Sequence, residues 1–518
     1  MIRQRRIIIL LIISIFILIF SLKYCERQLD IVPEQQQDFC SLIHRTDSST
    51  LDSELKKFDS LAFCKTGIYV LEDGGGSLIT RAWLCDHATK SIDVQYFIYS
   101  TDNVGLIASD YLVRAADRGV KVRIIVDDIT IETGIHEILT LNSHPNIEIK
   151  IYNPGVNLGK NIFQRIGKFT LDFRNSNQRM HNKILLVDNK VAITGGRNIA
   201  DEYFDYDHEY NFRDRDVLML GRVCKEVKNS FESFWNSNLS VVVTRLIRED
   251  NNDFTNPKRF ERLHQYACNP ENFWPQIRNE IKNFPKTLEQ IENSGRFIWL
   301  DTVCFISDLP GKNKGKQGLN GGGVTTQKLV ELVSQAKTSI DIQSPYLILP
   351  DNGIKLFKES VSKGIRIRIL TNSLASTDNL EAFSGYQRIR KKLLEAGVEI
   401  YEFRPDAAVR KKMATGAIQK KLNYTPIFGL HAKTMVIDGK ISVVGTFNLD
   451  PRSANLNTEC FALIYSEQIA SGILKGMNEE FKSENAWKTT ANFNPDSQVN
   501  TSKRVKTFSK RVFPKSIL

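Results

Sequence analysis

Cysteine and histidine are both scarce in this chain, with eight of each among 518 residues. The cysteines are widely scattered, none forms a Cys-x-x-Cys pair, and no Cys/His cluster has the spacing of zinc ligands. A structural zinc site is therefore not expected. One or two disulfides are compatible with these cysteines if the chain is exported, but the sequence leaves their pairing open.

Charge is absent from one segment near the N-terminus. Residues 7–22 carry no charged side chain and only two serines, and three arginines precede them. A helix over this segment would reach about 24 Å, so flanking residues or local thinning of the bilayer must complete a span of roughly 30 Å. The arginines predict a cytoplasmic N-terminus and a body on the opposite side of the membrane. We favour an uncleaved signal anchor over residues 1–22, because no small-residue cleavage site follows; a cleaved signal peptide is the alternative.

Acidic residues are absent from the C-terminal segment that begins at residue 497. Phe508 and Phe513 lie among its basic residues. These are Lys503, Arg504, Lys506, Lys510, Arg511 and Lys515. Two interpretations stay open for this tail, residues 491–518. It lies on an anionic membrane surface, where each basic residue contributes about 1 kcal/mol, or it is a disordered, solvated tail.

The overall composition is that of a globular protein. Hydrophobic residues make up 42% of the chain and charged residues 25%, and the length allows two to four domains. The net charge is +11. This balance favours an anionic partner, namely nucleic acid, an anionic lipid surface or a phosphorylated substrate, and charge alone does not choose among them.

One short pattern occurs twice. Both copies read His-x-Lys-x4-Asp-x6-Gly, with an asparagine three residues after the glycine. The first copy contains His181, Lys183, Asp188 and Asn198, and the second contains His431, Lys433, Asp438 and Asn448. The two histidines are 250 residues apart, which suggests two halves of one site.

The segments around the two copies repeat as well. Apolar alternation predicts strands over residues 91–98, 120–126 and 147–152 and a hairpin over 184–194; matching segments begin at 339, 364, 398 and 435. Strands that alternate with helices predict α/β layers. The expected organisation is an anchor (1–22), a spacer (23–60), a first lobe (61–245), a linker (246–296), a second lobe (297–490) and the basic tail (491–518). The glycine run at 74–76 is predicted to be a loop before a helix that starts near Leu78.

The residue types of the motif suit phosphoryl transfer. Each histidine and the lysine two positions later point to the same side of a strand. A neutral imidazole can attack phosphorus, and an imidazolium can protonate a leaving alkoxide. Lysine and asparagine supply donors for the phosphoryl oxygens, and the glycine before each asparagine is expected to let the backbone approach the substrate.

The two motifs resemble the paired HKD motifs of the phospholipase D superfamily. The flanking residues 93–97, 195–203, 344–346 and 448–459 look most like the bacterial cardiolipin synthase C branch, and the resemblance covers roughly residues 65–490. It implies an α/β fold of two tandem phospholipase D-type α/β/α sandwich lobes with mixed sheets, related by a pseudo-twofold duplication, in addition to the N-terminal transmembrane helix. It also implies an active site between the lobes that uses no metal and no other cofactor.

The resemblance assigns roles to these residues. His181 would be the nucleophile and form a phosphohistidine, and His431 would be the general acid. The substrate phosphate would be held by Lys183, Lys433, Asn198 and Asn448. Asp188 and Asp438 complete the motif, and both a catalytic and a structural role stay open for them.

A carboxylate is expected to orient each histidine. Glu459 would orient His431. Asp214 and Asp216 are both candidates for His181, and we prefer Asp216 because it directly precedes an apolar strand, as Glu459 does.

The implied activity is a phosphatidyl transfer that makes cardiolipin from phosphatidylglycerol and a second phospholipid. Hydrolysis to phosphatidic acid is the alternative, and cleavage of nucleic acid comes third. The implied partners are an anionic phospholipid substrate and a membrane, with no stable nucleic-acid partner. Both motifs lie in one chain, which predicts activity as a monomer. The expected location is the bacterial inner membrane with an extracytoplasmic catalytic body, or the exterior after signal cleavage.

Overall fold

A computed structural model describes residues 49–129, 135–155, 177–246, 258–273, 283–313, 320–413 and 426–518, with a few isolated residues between these ranges. The predicted anchor, residues 1–22, lies outside the described residues. Within the described part of the chain, no helix has both the length and the apolar character needed to cross a bilayer.

The described residues of the first half form a mixed nine-stranded sheet. Its strands are β1 (Thr66–Leu71), β2 (Ser91–Tyr96), β3 (Lys121–Asp127), β4 (Ile147–Tyr152), β5 (Ile184–Val187), β6 (Val191–Gly195), β8 (Asp216–Gly221), β9 (Ser240–Val242) and β10 (Ile298–Leu300). Their order across the sheet is β10-β1-β8-β6-β5-β2-β3-β4-β9. β2, β3 and β4 are parallel, and the other pairs are antiparallel.

The second half repeats this arrangement in an eight-stranded sheet. Its strands are β11 (Val303–Ser307), β12 (Ser339–Gln343), β13 (Arg366–Asn372), β14 (Glu399–Phe403), β16 (Lys433–Ile437), β17 (Ile441–Gly445), β18 (Cys460–Tyr465) and β19 (Ala486–Thr489). The order is β11-β18-β17-β16-β12-β13-β14-β19. The parallel trio β12-β13-β14 and the antiparallel hairpin β16-β17 correspond to β2-β3-β4 and β5-β6.

Helices cover both sheets. The first core contains the inward residues of the Gly74–His87 and Asn103–Asp117 helices, and the second contains those of the Val324–Gln335, Asp351–Ser362 and Leu380–Glu395 helices. The other faces of the two sheets share a third core with the Cys224–Trp235 and Glu467–Glu480 helices. Alternate residues of a strand face opposite sides of a sheet, so each sheet contributes to its own core and to the core between the lobes. The predicted α/β fold with two lobes is confirmed.

Three boundaries differ from the prediction. β10 begins at Ile298, yet it pairs with β1, so the first sheet extends past the expected start of the second lobe at residue 297. Apolar residues of the expected linker, among them Leu263, Phe284 and Leu288, are buried in the first core. The helix that was expected to start near Leu78 begins at Gly74, because the Asp73 side chain accepts a hydrogen bond from the Gly76 N–H and caps it.

The two halves also join through backbone pairing. β7 (Tyr210–Arg213) of the first half runs parallel to β15 (Ile427–Leu430) of the second. Met180 forms an isolated bridge with Thr458. His181 directly follows one of these contacts and His431 directly follows the other, so the duplicated motifs begin where the halves meet.

The basic C-terminal tail is ordered against the second lobe. It forms a helix over Thr501–Ser509, whose first turn is capped by Asn500. Its last residue, Leu518, is buried against Ile348 and Ala382. The interpretation of this tail as disordered is therefore wrong.

Cys40 and Cys268 form a disulfide between residues that are 228 positions apart in sequence. Cys268 directly follows the Lys258–Ala267 helix, which packs on the first lobe through Leu263 and Phe260. The bond therefore attaches the N-terminal spacer to the first lobe, a pairing that the sequence left open.

Candidate active site

Each motif histidine is positioned by the opposite half of the chain. The His181 N–H donates to the Thr458 carbonyl (3.0 Å), and the His431 N–H donates to the Arg213 carbonyl (2.8 Å). These two bonds are equivalent under the pseudo-twofold relation between the lobes. They place the residue that follows each acceptor, Glu459 or Asp214, beside a histidine of the other half.

Glu459 fixes the ring of His181. Its Oε2 lies 2.8 Å from His181 Nδ1, and both side chains are buried. A carboxylate accepts hydrogen bonds, so Nδ1 carries the hydrogen and Nε2 keeps its lone pair. Burial alone would raise the pKa of Glu459, but the adjacent imidazole outweighs burial and keeps this pKa below its usual value.

Asp214 holds His431 in the same way. Its Oδ2 lies 2.6 Å from His431 Nδ1, and Asp214 is fully buried. Despite the opposing effect of burial, His431 keeps the pKa of this carboxyl well below its usual range. His431 Nδ1 therefore carries the hydrogen, and Nε2 is the unprotonated nitrogen, which lies 2.8 Å from Lys433 Nζ.

The predicted pairing of carboxylates with histidines is wrong. Glu459 contacts His181 rather than His431, and the partner of His431 is Asp214. Asp216 contacts neither histidine; it accepts hydrogen bonds from Arg81 (2.8 Å) and Arg197 (3.2 Å). The reason is the exchange of backbone contacts between the halves, which brings each carboxylate to the motif of the other lobe.

The two motif lysines surround the histidines with positive charge. Lys183 Nζ donates to the His181 carbonyl (2.9 Å), and Lys433 Nζ lies 2.6 Å from the His431 carbonyl and 2.8 Å from both ring nitrogens of that histidine. Burial lowers the pKa of Lys183 to about 8 and that of Lys433 to about 7.

The histidines are neutral at physiological pH in this arrangement. Burial, together with the nearby lysines, lowers the pKa of His181 to about 4 and that of His431 to about 3. The lysine of each motif acts on the histidine of the other motif as well as on its own. The two imidazoles and two ammonium groups therefore share one buried site.

Asn198 and Asn448 follow the hairpins and are both buried. The Asn198 side-chain oxygen accepts from the Ile98 N–H (3.2 Å), which leaves its amide N–H groups as donors. Within the described residues, the Asn448 Oδ1 has no hydrogen-bond partner.

Packing explains why both motif positions, 195 and 445, are glycine. A Cβ at Gly195 would lie 2.1 Å from an Asp216 oxygen, and one at Gly445 would lie 2.2 Å from the Cys460 carbonyl oxygen. The space beside each glycine is taken by the adjacent strand, so packing by itself requires a glycine at both positions.

Asp188 and Asp438 lie at the far ends of the hairpins. Each is seven positions after its histidine, which is about 20 Å along extended chain. Asp188 accepts hydrogen bonds from the backbone N–H groups of Lys90 and Ser91, and Asp438 accepts from those of Thr338 and Ser339. Both have positive φ, 50° and 54°. These contacts support the structural role for both aspartates.

A buried polar network joins the lobes beside the histidines, and the sequence reasoning did not find it. Arg213 pairs with Glu480 (2.5 Å) and Glu72 (2.6 Å), and Arg215 pairs with Glu72 (2.9 Å) and donates to Gln343 (2.5 Å). Burial opposes ionisation of Glu72, yet the two arginines lower its pKa to about 2. In the sequence, this network was indicated by the two arginines on either side of Asp214.

A second buried ion pair supports Glu459. Lys312 Nζ lies 2.7 Å from Asp308 Oδ2, and the same oxygen accepts from the Glu459 N–H (3.0 Å). Asp308 directly follows β11, as Glu72 directly follows β1. An acidic residue after the first strand of each half was the signal for both networks.

The sequence of this chain is similar to those of known proteins. A family model described as "Cardiolipin synthase, PLD-like domain" matches residues 84–235 and 329–483. Among curated proteins, one from Helicobacter pylori strain J99 is 35% identical over 78% of this chain and 77% of its own length. Cardiolipin synthase C of Escherichia coli K12 is 34% identical over 79% of this chain and 83% of its own length.

A solved structure shows the same fold. The phosphatidylserine synthase of Haemophilus influenzae Rd KW20 aligns with a TM-score of 0.58 and 14% sequence identity, over 90% of this chain and 100% of that one. The family match covers more than half of the sequence and includes both His-x-Lys motifs. The chain therefore belongs to the phospholipase D superfamily, with two PLD-like domains of the cardiolipin synthase type.

Proposed function

We propose that this protein is a phosphatidyltransferase that makes cardiolipin from phosphatidylglycerol and a second phospholipid. The observation that carries the proposal is the pair of neutral imidazoles, each fixed through Nδ1 by a carboxylate of the other half and each accompanied by a buried lysine. The similarity to Escherichia coli cardiolipin synthase C over most of both chains supports the choice of substrate class.

The first step transfers a phosphatidyl group to the protein. Nε2 of His181 attacks the phosphorus of the donor lipid, and an N–P bond forms. The P–O bond to the headgroup alcohol breaks, and its oxygen takes a proton from His431. Assigning the nucleophile to the first motif follows the family pattern.

The second step returns the group to a new alcohol. A hydroxyl of the acceptor phospholipid attacks the phosphorus and gives its proton to His431, while the N–P bond breaks. A new P–O bond replaces the original one, so the reaction needs no external energy source. Water in the acceptor position would give phosphatidic acid instead.

The buried charges suit a phosphodiester. An anion beside the lysines offsets their desolvation and raises the pKa of the adjacent imidazoles, so that His431 can carry the proton that the leaving alcohol requires. Lys183, Lys433 and the amide groups of Asn198 and Asn448 would donate to the phosphoryl oxygens.

Three further features complete the proposal. The Cys40–Cys268 disulfide supports an oxidising compartment, in agreement with an extracytoplasmic body held at the inner membrane by residues 1–22. The contacts of Glu459 with His181 and of Asp214 with His431 are made within one chain, which supports activity as a monomer. Because the substrate is a membrane phospholipid and residues 1–22 are the anchor, the transfer reaction takes place at the membrane.

The test uses the purified full-length protein and labelled phosphatidylglycerol, with and without phosphatidylethanolamine. Labelled cardiolipin is expected. Phosphatidic acid as the sole product would refute the synthase and establish hydrolysis. His181→Asn should abolish turnover and leave the protein unlabelled, because no N–P bond can form. His431→Asn should also lower turnover sharply, because the leaving alcohol loses its proton donor. His136→Asn, a change on the exposed surface of the Ile135–Asn142 helix, is the matched control and should behave like the unmodified protein.

A further inference from the structure

The outer face of the C-terminal tail exposes large apolar side chains. Val505, Phe508, Val512 and Phe513 are 62%, 64%, 79% and 38% exposed. The first three follow the spacing i, i+3, i+7, which places them on one side of the Thr501–Ser509 helix and the 3-10 turn that continues it. The buried Thr507 marks the opposite side of this helix.

Basic residues accompany these apolar side chains. Lys503, Arg504, Lys506, Lys510, Arg511 and Lys515 lie in the same segment, which has no acidic residue after position 496. The Arg511 guanidinium lies 4.8 Å from the centre of the Phe508 ring. Apolar and cationic groups therefore form one continuous surface, which we call the C-terminal face.

The second lobe holds the C-terminal face in place. Arg388 donates to the Phe513 carbonyl (2.9 Å), Lys510 pairs with Glu381 (2.6 Å), and Arg452 donates to the Ile517 carbonyl (3.2 Å). The last side chain, Leu518, is buried in the lobe. The exposure of the four apolar residues is thus a property of a folded surface.

The C-terminal face also adjoins the proposed active site. Lys503 Nζ lies 3.5 Å from the Ala375 carbonyl. In the same loop, Asp378 accepts a hydrogen bond from Tyr346 (2.7 Å). Asn372, at the end of β13 where this loop begins, exchanges two hydrogen bonds of 2.8 Å with the backbone of Leu430, which directly precedes His431. The loop therefore lies beside the second motif.

We propose that the C-terminal face docks onto an anionic phospholipid bilayer and sets the active site against it. A helix with apolar residues on one side and flanking lysines and arginines binds in the interfacial region of anionic membranes. Basic residues near such a surface add electrostatic attraction to the anionic headgroups. The absence of acidic residues favours a bilayer over a protein partner of mixed charge. The docking stands on its own, and only its consequence for catalysis rests on the proposed function.

The test measures hydrogen exchange of residues 501–518 in the full-length protein, in nanodiscs of phosphatidylglycerol and phosphatidylcholine, in nanodiscs of phosphatidylcholine alone, and in detergent. Protection of the C-terminal face only with phosphatidylglycerol is expected. Equal exchange in all three would refute the proposal, and so would equal protection in both kinds of nanodisc. Protection that is already complete in detergent would indicate a protein occupant and would also refute it. The Val324–Gln335 helix, whose Val330 is 49% exposed, serves as the internal control.

A second test of the docking compares enzymatic turnover of bilayer and soluble phosphatidylglycerol. The triple change Phe508→Ser, Val512→Ser and Phe513→Ser should lower turnover of bilayer phosphatidylglycerol tenfold or more, and leave turnover of a soluble short-chain phosphatidylglycerol unchanged. The control Val324→Ser with Val330→Ser should change neither. Equal loss on both substrates would refute a docking role. If the unmodified protein turned over neither substrate, the proposed function would fail while the exchange experiment still decided the docking.

Discussion

At the scale of single residues, the candidate active site contains two carboxylate–imidazole pairs whose members come from different halves of the chain. The contacts at 2.8 Å for His181 and 2.6 Å for His431 fix the ring orientation and the tautomer of each imidazole. Both carboxylates are fully buried, so little solvent competes for these hydrogen bonds. Removing either negative charge should therefore affect catalysis more than folding.

Glu459→Gln is expected to lower the rate of cardiolipin formation by up to about 10⁴-fold, the loss seen when the orienting aspartate of a Ser-His-Asp triad is replaced by asparagine. The physical reason is the loss of the charge that stabilises a positive His181 during phosphoryl transfer. Steady-state kcat measures the effect. Asp188→Asn, at the hairpin turn, should leave kcat within about twofold and lower Tm instead; equal rate losses in the two variants would contradict the assignment.

The two buried histidines also predict how stability depends on pH. Their pKa values are lowered to about 4 and about 3 in the folded protein, whereas unfolded histidine titrates near 6.5. The unfolded chain therefore binds more protons, and stability is lost as pH falls from about 6.5 toward 4, by roughly 3 kcal/mol for His181. Urea unfolding at several pH values measures this loss. A variant with His181→Gln and His431→Gln should show a flatter profile between these limits.

At the scale of secondary-structure elements, the site depends on where strands end rather than on the strands themselves. β7 and β15 pair across the lobes, and the buried network of Arg213 and Arg215 lies at their ends. Glu480, on the Glu467–Glu480 helix, joins Arg213 to that network at 2.5 Å. These charges hold the lobe interface in one register.

Glu480→Leu should cost about 3–5 kcal/mol, because it leaves the buried guanidinium of Arg213 with one carboxylate fewer. Urea denaturation followed by circular dichroism measures the change. Glu359→Ala is the matched control, since Glu359 contacts Lys355 at 3.9 Å on the exposed surface, and it should change stability by no more than about 0.5 kcal/mol. A cost for Glu480→Leu as small as that of the control would argue against a stabilising network.

At the scale of the whole molecule, the duplication brings two half-sites together, while the disulfide attaches Cys40 to one lobe and the tail attaches the C-terminus to the other. Cys40 connects the N-terminal spacer to the first lobe through Cys268. Leu518 connects the C-terminus to the second lobe. Cys40 and the C-terminal residue are thus fixed to opposite halves of the duplicated structure.

Cys40→Ser is expected to lower the free energy of unfolding by about 2–4 kcal/mol under oxidising conditions, because the bond restricts the unfolded chain. Peptide mapping without reductant should recover Cys40 joined to Cys268 in protein exported by its host. Cys64→Ser, at an exposed free cysteine, should leave stability unchanged. Recovery of Cys40 as a free thiol from exported protein would contradict the pairing.

The sequence by itself determined the duplication, the positions of the central strands along the chain and the identity of both histidine–lysine pairs, because period-two alternation and a repeated motif are local signals. It did not determine which carboxylate serves which histidine. That choice follows from backbone bonds between residues more than 200 positions apart, His181 with Thr458 and Arg213 with His431. Such contacts exist only once the lobes have packed, so the tertiary structure alone decided that Glu459 and Asp214 exchange partners and that Asp216 stays with its arginines.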